Sequence, residues 1–555
     1  METWARLAAT AHSPIRCDET NEAGSDGRDK AVTASSEVIA GAVALGLLAG
    51  PLAPAAQPLR PHVLLIYTDD QGYGDVSALN PESKFQTPNL DRLVREGMAF
   101  TDAHSSDTVC TPSRYGLLTG RYSWRTGMKR GVMGAEGKGL IAEGRTTLAS
   151  LLRDVGYRTA MVGKWHLGMT FHGKKGSRDW SRPVLDGPVD KGFDYFYGIP
   201  ASMNYGVLTY IENRRVLDPP SLWTQKKPNQ IAIADYRITP PYEHSRAGGE
   251  LEVAPSFDDQ QVLTVFTERA VQWIDDFAAD NSDEPFFLYL AYTSPHKPVI
   301  PITEFQGRSE AGAYGDFMME TDAHIGSVLD ALDRNDLTRD TLVLVTSDNG
   351  PETTYRERLK RFGHASAGKL RGGKRDLYEG GHRVPFIVRW PAVVKPAQRS
   401  SDLVCQTDVL ATIADAIGRE LGPEEAEDSV SFLPILKGAQ RPPRPPVIHH
   451  SAAGYFAIRH GRWKLNMIRG SGGSLAPRFV EAKPGEPQFE LYDLAADLAE
   501  TSDMAAQEPA VVARLREEIT RIVTSGRSKS GQAVGNDGAQ WWKELTWLEP
   551  NAGEH

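Results

Sequence analysis

Cysteine is almost missing from this chain. Cys17, Cys110 and Cys405 are the only three in 555 residues, so no disulfide framework holds the fold. Positive charge is also short: 62 Lys and Arg stand against 72 Asp and Glu, a formal charge of −10 at pH 7. A general nucleic-acid binder shows a basic face, so that class is set aside, and attraction for an anion must be local to a site. There is no internal repeat and no Cys/His spacing suited to zinc. Long apolar runs are absent except for Val38 to Gly50, which is too short to span a bilayer. Followed by Pro51 and Ala53-Pro54-Ala55, it matches the apolar core and cleavage region of a signal peptide. The stretch before it is long and acidic for such a leader, so either translation starts after Met1 or the leader is atypical. Export, periplasmic or secreted, is expected, with no membrane span in the mature body.

What is present is an ordinary globular composition, 40% hydrophobic and 24% charged, in a chain long enough for about two to four domains. Continuous apolar runs suit strands buried on both faces of a parallel sheet: Val63–Tyr67, Tyr157–Val162, Phe286–Tyr292, Thr341–Thr346 and Val384–Arg389. Stretches of helical spacing separate them, and Cys405 is assigned as a core residue to the helix around Asp408 to Ile417. From Phe171 to Pro255 periodicity fades, and this stretch, including Met203-Asn204-Tyr205, reads as loops over the site that set specificity. Pro/Arg-rich sequence from Arg441 to Pro446 marks a boundary, followed by a hairpin, a third strand and a helix. The expected division is a leader over 1–59, a catalytic domain over 60–440, a smaller antiparallel-sheet module over 441–530 and a tail over 531–555.

The polar residues that follow the strands carry chemistry. Asp69, Asp70, Asp348 and Asn349 offer only hard oxygen ligands, a set suited to Ca²⁺ or Mg²⁺ rather than zinc. Two adjacent carboxylates at one strand end repel unless a cation relieves them. Lys164, His166, His296, Lys374 and Arg114 supply positive charge and proton donors, with Lys164 and His166 expected on one side of an extended segment. Cys110 lies at a helix start, with Pro112 read as the first helical residue and Arg114 one turn on, where unpaired N–H groups favour an anion. A metal and a ring of cations around a nucleophile suit hydrolysis of an anionic ester.

Cys110-Thr-Pro112-Ser-Arg114 with its tail Leu117-Leu-Thr-Gly-Arg121 resembles the signature of the type I sulfatases, the arylsulfatase-like members most of all. The likeness extends through Thr68-Asp-Asp-Gln-Gly-Tyr-Gly-Asp75, Gly163-Lys-Trp-His-Leu-Gly168, Ser294-Pro-His-Lys-Pro298, Ser347-Asp-Asn-Gly350, Arg371-Gly-Gly-Lys374 and Leu491-Tyr-Asp-Leu494. That resemblance implies an α/β fold: an alkaline-phosphatase-like, mostly parallel sheet flanked by helices, with a smaller C-terminal α+β domain. It implies a sulfuric ester hydrolase in which a separate formylglycine-generating enzyme oxidises Cys110 to formylglycine (3-oxoalanine). One hydroxyl of the aldehyde hydrate attacks sulfur, and the second expels sulfate.

By motif position, Asp69, Asp70, Asp348, Asn349 and the modified Cys110 hold the cation. Arg114 and Lys164 steady the site, His166 triggers sulfate release, and His296 and Lys374, with Lys164, bind the sulfate. His364 and His382 stand open between substrate contact and structure. The substrate is a sulfated small molecule or a sulfated glycan. Two rivals are weighed: a phosphodiester or phosphonate monoester hydrolase of the same superfamily, and an inactive binding homologue.

Overall fold

The computed structural model describes residues 59–226, 243–280 and 283–548. The expected leader up to residue 58, and 227–242 of the loop-rich stretch, lie outside the described residues.

The strands form where the apolar runs predict them. The elements in chain order are β1 (His62–Asp69), α1 (Pro88–Glu96), β2 (Met98–Phe100), β3 (Ala103–His104), α2 (Cys110–Thr119), α3 (Leu148–Asp154) and β4 (Arg158–Lys164). Then come β5 (Tyr195–Ile199), β6 (Ile211–Glu212), β7 (Arg215–Val216), α4 (Val262–Ala279), β8 (Phe286–Pro295), α5 (Gly312–Arg334) and β9 (Thr341–Ser347). The remainder are β10 (Phe386–Arg389), β11 (Gln398–Ser400), β12 (Val404–Cys405), α6 (Asp408–Ala416), β13 (Val447–His450), β14 (Phe456–His460), β15 (Trp463–Asn466), β16 (Glu490–Asp493) and α7 (Pro509–Thr524).

A ten-stranded sheet runs β7-β6-β5-β4-β8-β1-β9-β10-β2-β11. Its centre, β5-β4-β8-β1-β9, is parallel, and β10 is antiparallel to β9. Side chains of β1 alternate between two cores. Val63, Leu65 and Tyr67 pack with α3 and α6, while Leu64 and Ile66 pack with α1, α4 and α5. Burial on both faces explains why these strands read as unbroken apolar runs. Because β4, β8, β1 and β9 are parallel neighbours, their carboxyl ends meet along one edge, where open α/β sheets place their sites.

Three expectations are corrected. The stretch from Phe171 to Pro255 is not only loops. It supplies β5, a full strand of the main sheet, and a small sheet of Val207–Leu208, Leu222–Thr224 and Leu251–Val253. Cys405 lies in β12, paired to β3, rather than in α6, and is fully buried. Pro112 is the third helical residue, not the first, because α2 starts at Cys110 with Val109 as its cap. The missing donor is harmless there too, since no N–H of the first turn has an intrahelical partner.

The four-stranded antiparallel sheet β13-β14-β15-β16 carries α7 against it. Trp542, Leu545 and Trp547 share a core with Phe456, Leu515 and Ile519, so the tail packs on this sheet. No helix among the described residues is long and apolar enough to cross a membrane.

Candidate active site

Each strand end delivers its polar residue by a local turn. β1 ends at Asp69, and Asp70 follows with φ of 67°, a left-handed conformation that turns the chain sharply away from the strand. β4 ends at Lys164, and His166 likewise has φ of 61°, so strand alternation does not set the direction of its ring. β8 hands over to His296, and β9 to Asp348 and Asn349. Such strained non-glycine conformations persist only where the surroundings over-determine them. Here the over-determination is visible. Asp70 N–H donates to Asp348 Oδ1 at 3.1 Å, Asn349 Nδ2 donates to Asp70 Oδ1 at 2.7 Å, and Gln71 N–H donates to Ser347 Oγ at 3.0 Å.

At the floor sits Cys110, in the first turn of α2. Its thiol lies 3.5 Å from Asp69 Oδ1 and 3.4 Å from Lys374 Nζ. Lys374 also pairs with Asp70, and Lys164 pairs with Asp69. Arg114 donates to Asp348 Oδ2 at 2.9 Å and to the Lys164 carbonyl at 3.1 Å. Three buried carboxylates thus meet three buried cations. Burial alone would raise Asp69, but Lys164, with Arg114, overrides it and holds the acid down to about 2. Burial and the neighbouring Asp69 push Asp348 up. Burial also pushes the Cys110 thiol up, aided by Asp348, the opposite of the electropositive setting that activates a thiolate.

The imidazoles are held neutral. Burial lowers His296 to about 4 despite the adjacent Asp69 and Asp70. Its Nδ1–H donates to the Lys297 carbonyl at 2.7 Å, leaving Nε2 facing Asp70 at 3.8 Å. Burial, then Lys164 and Arg114, lower His166 well below its usual range. A carbonyl only accepts, so the 2.9 Å contact to Met133 O places the His166 proton on Nε2 and a lone pair on Nδ1. That Nδ1 is buried without a partner.

Two more atoms are orphaned: Asp70 Oδ2 and Asn349 Oδ1 are buried with no hydrogen-bond partner. Buried oxygens of this kind are costly unless something positive meets them. Asp69, Asp70, Cys110 and His296 present ligand atoms within 4.8 Å of one another. The orphaned oxygens of Asp70 and Asn349, with those of Asp69, suit a hard divalent cation, whereas the thiol and the imidazole beside them are softer donors.

Above Cys110 opens a cavity of about 220 Å³ whose wall includes Tyr205, Lys226, His296, Lys297, Lys374 and Arg375. Sequence reasoning missed four contributors here. Arg375 follows Lys374 directly, and its carboxylate partner Glu352 lies just past Ser347-Asp-Asn-Gly350; both were within reach of those motifs. Asp107 and His450 pair at 2.8 Å beneath the start of α2 and carried no local signal, being 343 residues apart. His364 and His382 lie elsewhere. His364 bonds Asp75 at 2.7 Å and accepts Lys84 N–H, and His382 stacks on His449.

The sulfatase family model matches residues 61–419, nearly two thirds of the chain. The chain belongs to the sulfatase family. A second family model, for the C-terminal part of N-sulphoglucosamine sulphohydrolase, matches residues 372–525. This sulfatase is 33% identical over 495 residues to an N-acetylgalactosamine-6-O-sulfatase of Bacteroides thetaiotaomicron, covering 84% of this chain and 93% of that protein. It is 33% identical to human arylsulfatase A, covering 84% and 90%. A solved Bacteroides thetaiotaomicron sulfatase structure, described within the metabolism of multiple glycosaminoglycans, superposes with a TM-score of 0.72 at 31% identity over 83% of this chain and 99% of that one. The sulfatase is accordingly an enzyme that hydrolyses sulfate esters, with the alkaline-phosphatase-like fold of its structural relatives.

Proposed function

We propose that this sulfatase removes sulfate from a sulfated sugar, using residue 110 as nucleophile after its conversion to formylglycine. One observation carries the reading: the Cys110 side chain lies between Asp69 and Lys374 at the floor of a cation-lined cavity. Formylglycine would supply a hydrated aldehyde, whose paired hydroxyls suit attack on sulfur and later release of sulfate. Asp69, Asp70, Asp348 and Asn349 would hold the divalent cation, Ca²⁺ or Mg²⁺, which would polarise a sulfate oxygen.

The chain's own residues do the rest. Lys374 and His296, both on the cavity wall, bind the sulfate oxygens, His296 in its protonated form, where Nε2–H can donate and from there assist the leaving oxygen. Lys164 neutralises Asp69, and Arg114 locks Asp348 and the end of β4 in register. His166 accepts a proton at Nδ1 as sulfate departs. The N-acetylgalactosamine-6-O-sulfatase relative supports a sugar rather than an aryl substrate. Export and maturation by a separate enzyme complete the proposal, as do a catalytic region over 60–440 and a small-sheet module beyond it.

Peptide mass spectrometry of the protein from its native host should show residue 110 as the aldehyde, and Cys110→Ala should abolish sulfate-ester turnover while leaving the circular-dichroism melt in place. An unmodified thiol in active enzyme, or phosphodiesters cleaved faster than sulfate esters, would sink the reading.

A further inference from the structure

The cavity wall carries more positive charge than one sulfate ester uses. Lys226, Lys297, Lys374 and Arg375 all line it, and among the described residues no carboxylate does. Lys374 is committed inward, to Asp70 and Cys110. Lys297 and Arg375 share a single carboxylate: Glu352 accepts from Lys297 at 3.1 Å and from both Arg375 terminal nitrogens, the longer contact at 2.9 Å. Burial alone would raise Glu352, yet Arg375, Lys374 and Lys297 hold it well below its usual range, so it stays ionised. Arg375 has φ of 83°, a conformation that costs a non-glycine residue energy and points to a function. Lys226 Nζ has no carboxylate partner among the described residues and stands 5.3 Å over the Tyr205 ring, whose centroid is 5.3 Å from that of His166. Among the described residues the outer wall therefore has three cations against one buried anion, a net of about two positive charges on a chain of formal charge −10, with the exposed Glu250 accepting the Lys226 backbone N–H at 3.1 Å beside it.

Resting on the sulfatase reading, we infer that the outer wall is a subsite for a second anionic group on the sugar substrate, with Lys226 and Arg375 as its ligands and Tyr205 as the platform for the ring between. The cavity, at about 220 Å³, falls below the ~300–1,000 Å³ of pockets that enclose drug-sized ligands, so it seats one sugar unit with the second charge at its mouth. A uronate carboxylate on the neighbouring sugar and a second sulfate on the same sugar offer the same chemistry.

The test is calorimetric binding to the full-length Cys110→Ala protein, which holds ligand without turnover. Three probes are compared: a monosulfated hexosamine, the same sugar linked to a uronic acid, and the disulfated hexosamine. One or both doubly charged probes should bind about five- to tenfold tighter than the first at low salt, and raised ionic strength should shrink the gap. Lys226→Glu should erase the preference, and Lys226→Arg should keep it. The arm with the larger gap identifies the source of the charge. Equal affinities for the three probes, or a preference that Lys226→Glu leaves in place, overturn the subsite. With sulfate esters still turned over by the matured wild type, either result leaves the sulfatase reading standing.

Discussion

At the scale of single residues, the inner site is an arrangement of charges that balance in threes. Asp69, Asp70 and Asp348 meet Arg114, Lys164 and Lys374, every one of them buried. Removing one partner of such a group leaves an unpaired buried charge, which costs far more than the pair contributes. Only Asp70 Oδ2 and Asn349 Oδ1 remain unsatisfied among these carboxylates and amides. A divalent cation there should raise the stability of the folded chain by mass action, about 2.7 kcal/mol at a hundredfold excess over Kd. Thermal melts of chelator-treated protein should rise on adding Ca²⁺ or Mg²⁺, and Asp70→Asn should blunt the rise. A melt indifferent to both ions would remove the metal assignment whatever the activity.

At the scale of elements, the small sheet meets the segments flanking the main one through histidines. His104 from β3, His382 from the short helix Glu379–His382 before β10 and His449 from β13 pack together, His382 and His449 with ring centroids 3.6 Å apart. Lys464 from β15 donates toward both Glu379 and His382, and pairs with Glu500 at 2.8 Å. Burial lowers all three imidazoles, most strongly His382 and His449, where Lys464 adds to it. Their folded values lie below the unfolded ~6.5, so the stability linked to their neutrality is present above that pH and is lost as pH falls through the folded values. Glu500, pushed by burial up to about 7, acts in the opposite sense between its unfolded and folded values, one group against three. Denaturant midpoints should therefore drop between pH 7 and pH 5. His449→Phe should lessen that drop and stabilise the neutral protein by about 1 kcal/mol, because neither His449 nitrogen has a partner to lose. An unchanged pH slope would show the cluster plays no part.

The same scale shows what could be read in advance. Strands buried on both faces announce themselves as apolar runs, and the polar residues closing them, from Asp69 to Asn349, were legible for that reason. β5 was not. Tyr195-Phe-Tyr-Gly-Ile199 is short, sits among Pro and Gly, and is a strand because β4 lies beside it, a pairing the local sequence does not encode. β13 escaped likewise, behind a Pro-rich approach, and with it His450 and its partner Asp107. Of the cations at the cavity mouth, Lys297 and Arg375 lie within or beside the site motifs, whereas Lys226 carried no local signal. Lys226, Lys297 and Arg375 acquire a common purpose only when three separate segments converge on one wall.

At the scale of the whole molecule, the tail is structural. Trp547 is 5% exposed, donates its ring N–H to Thr520 and packs edge-on against Phe456 of β14. Trp547→Ala should destabilise the protein by about 3–5 kcal/mol, measured by denaturant titration. A loss within ±0.5 kcal/mol, typical of a surface position, would contradict the packing described.

The meeting of parallel strand ends also bears on how the chain is made. Asp70 waits for Lys374, 304 residues later, and Arg114 for Asp348, 234 residues later. While the chain is still leaving the ribosome, the acidic pair closing β1 has no distant counter-charge to bury with it, and the cost of desolvating it keeps that edge wet. The floor around Cys110 can close only after most of the polypeptide has been synthesised, so whatever must reach that residue has until then to do so.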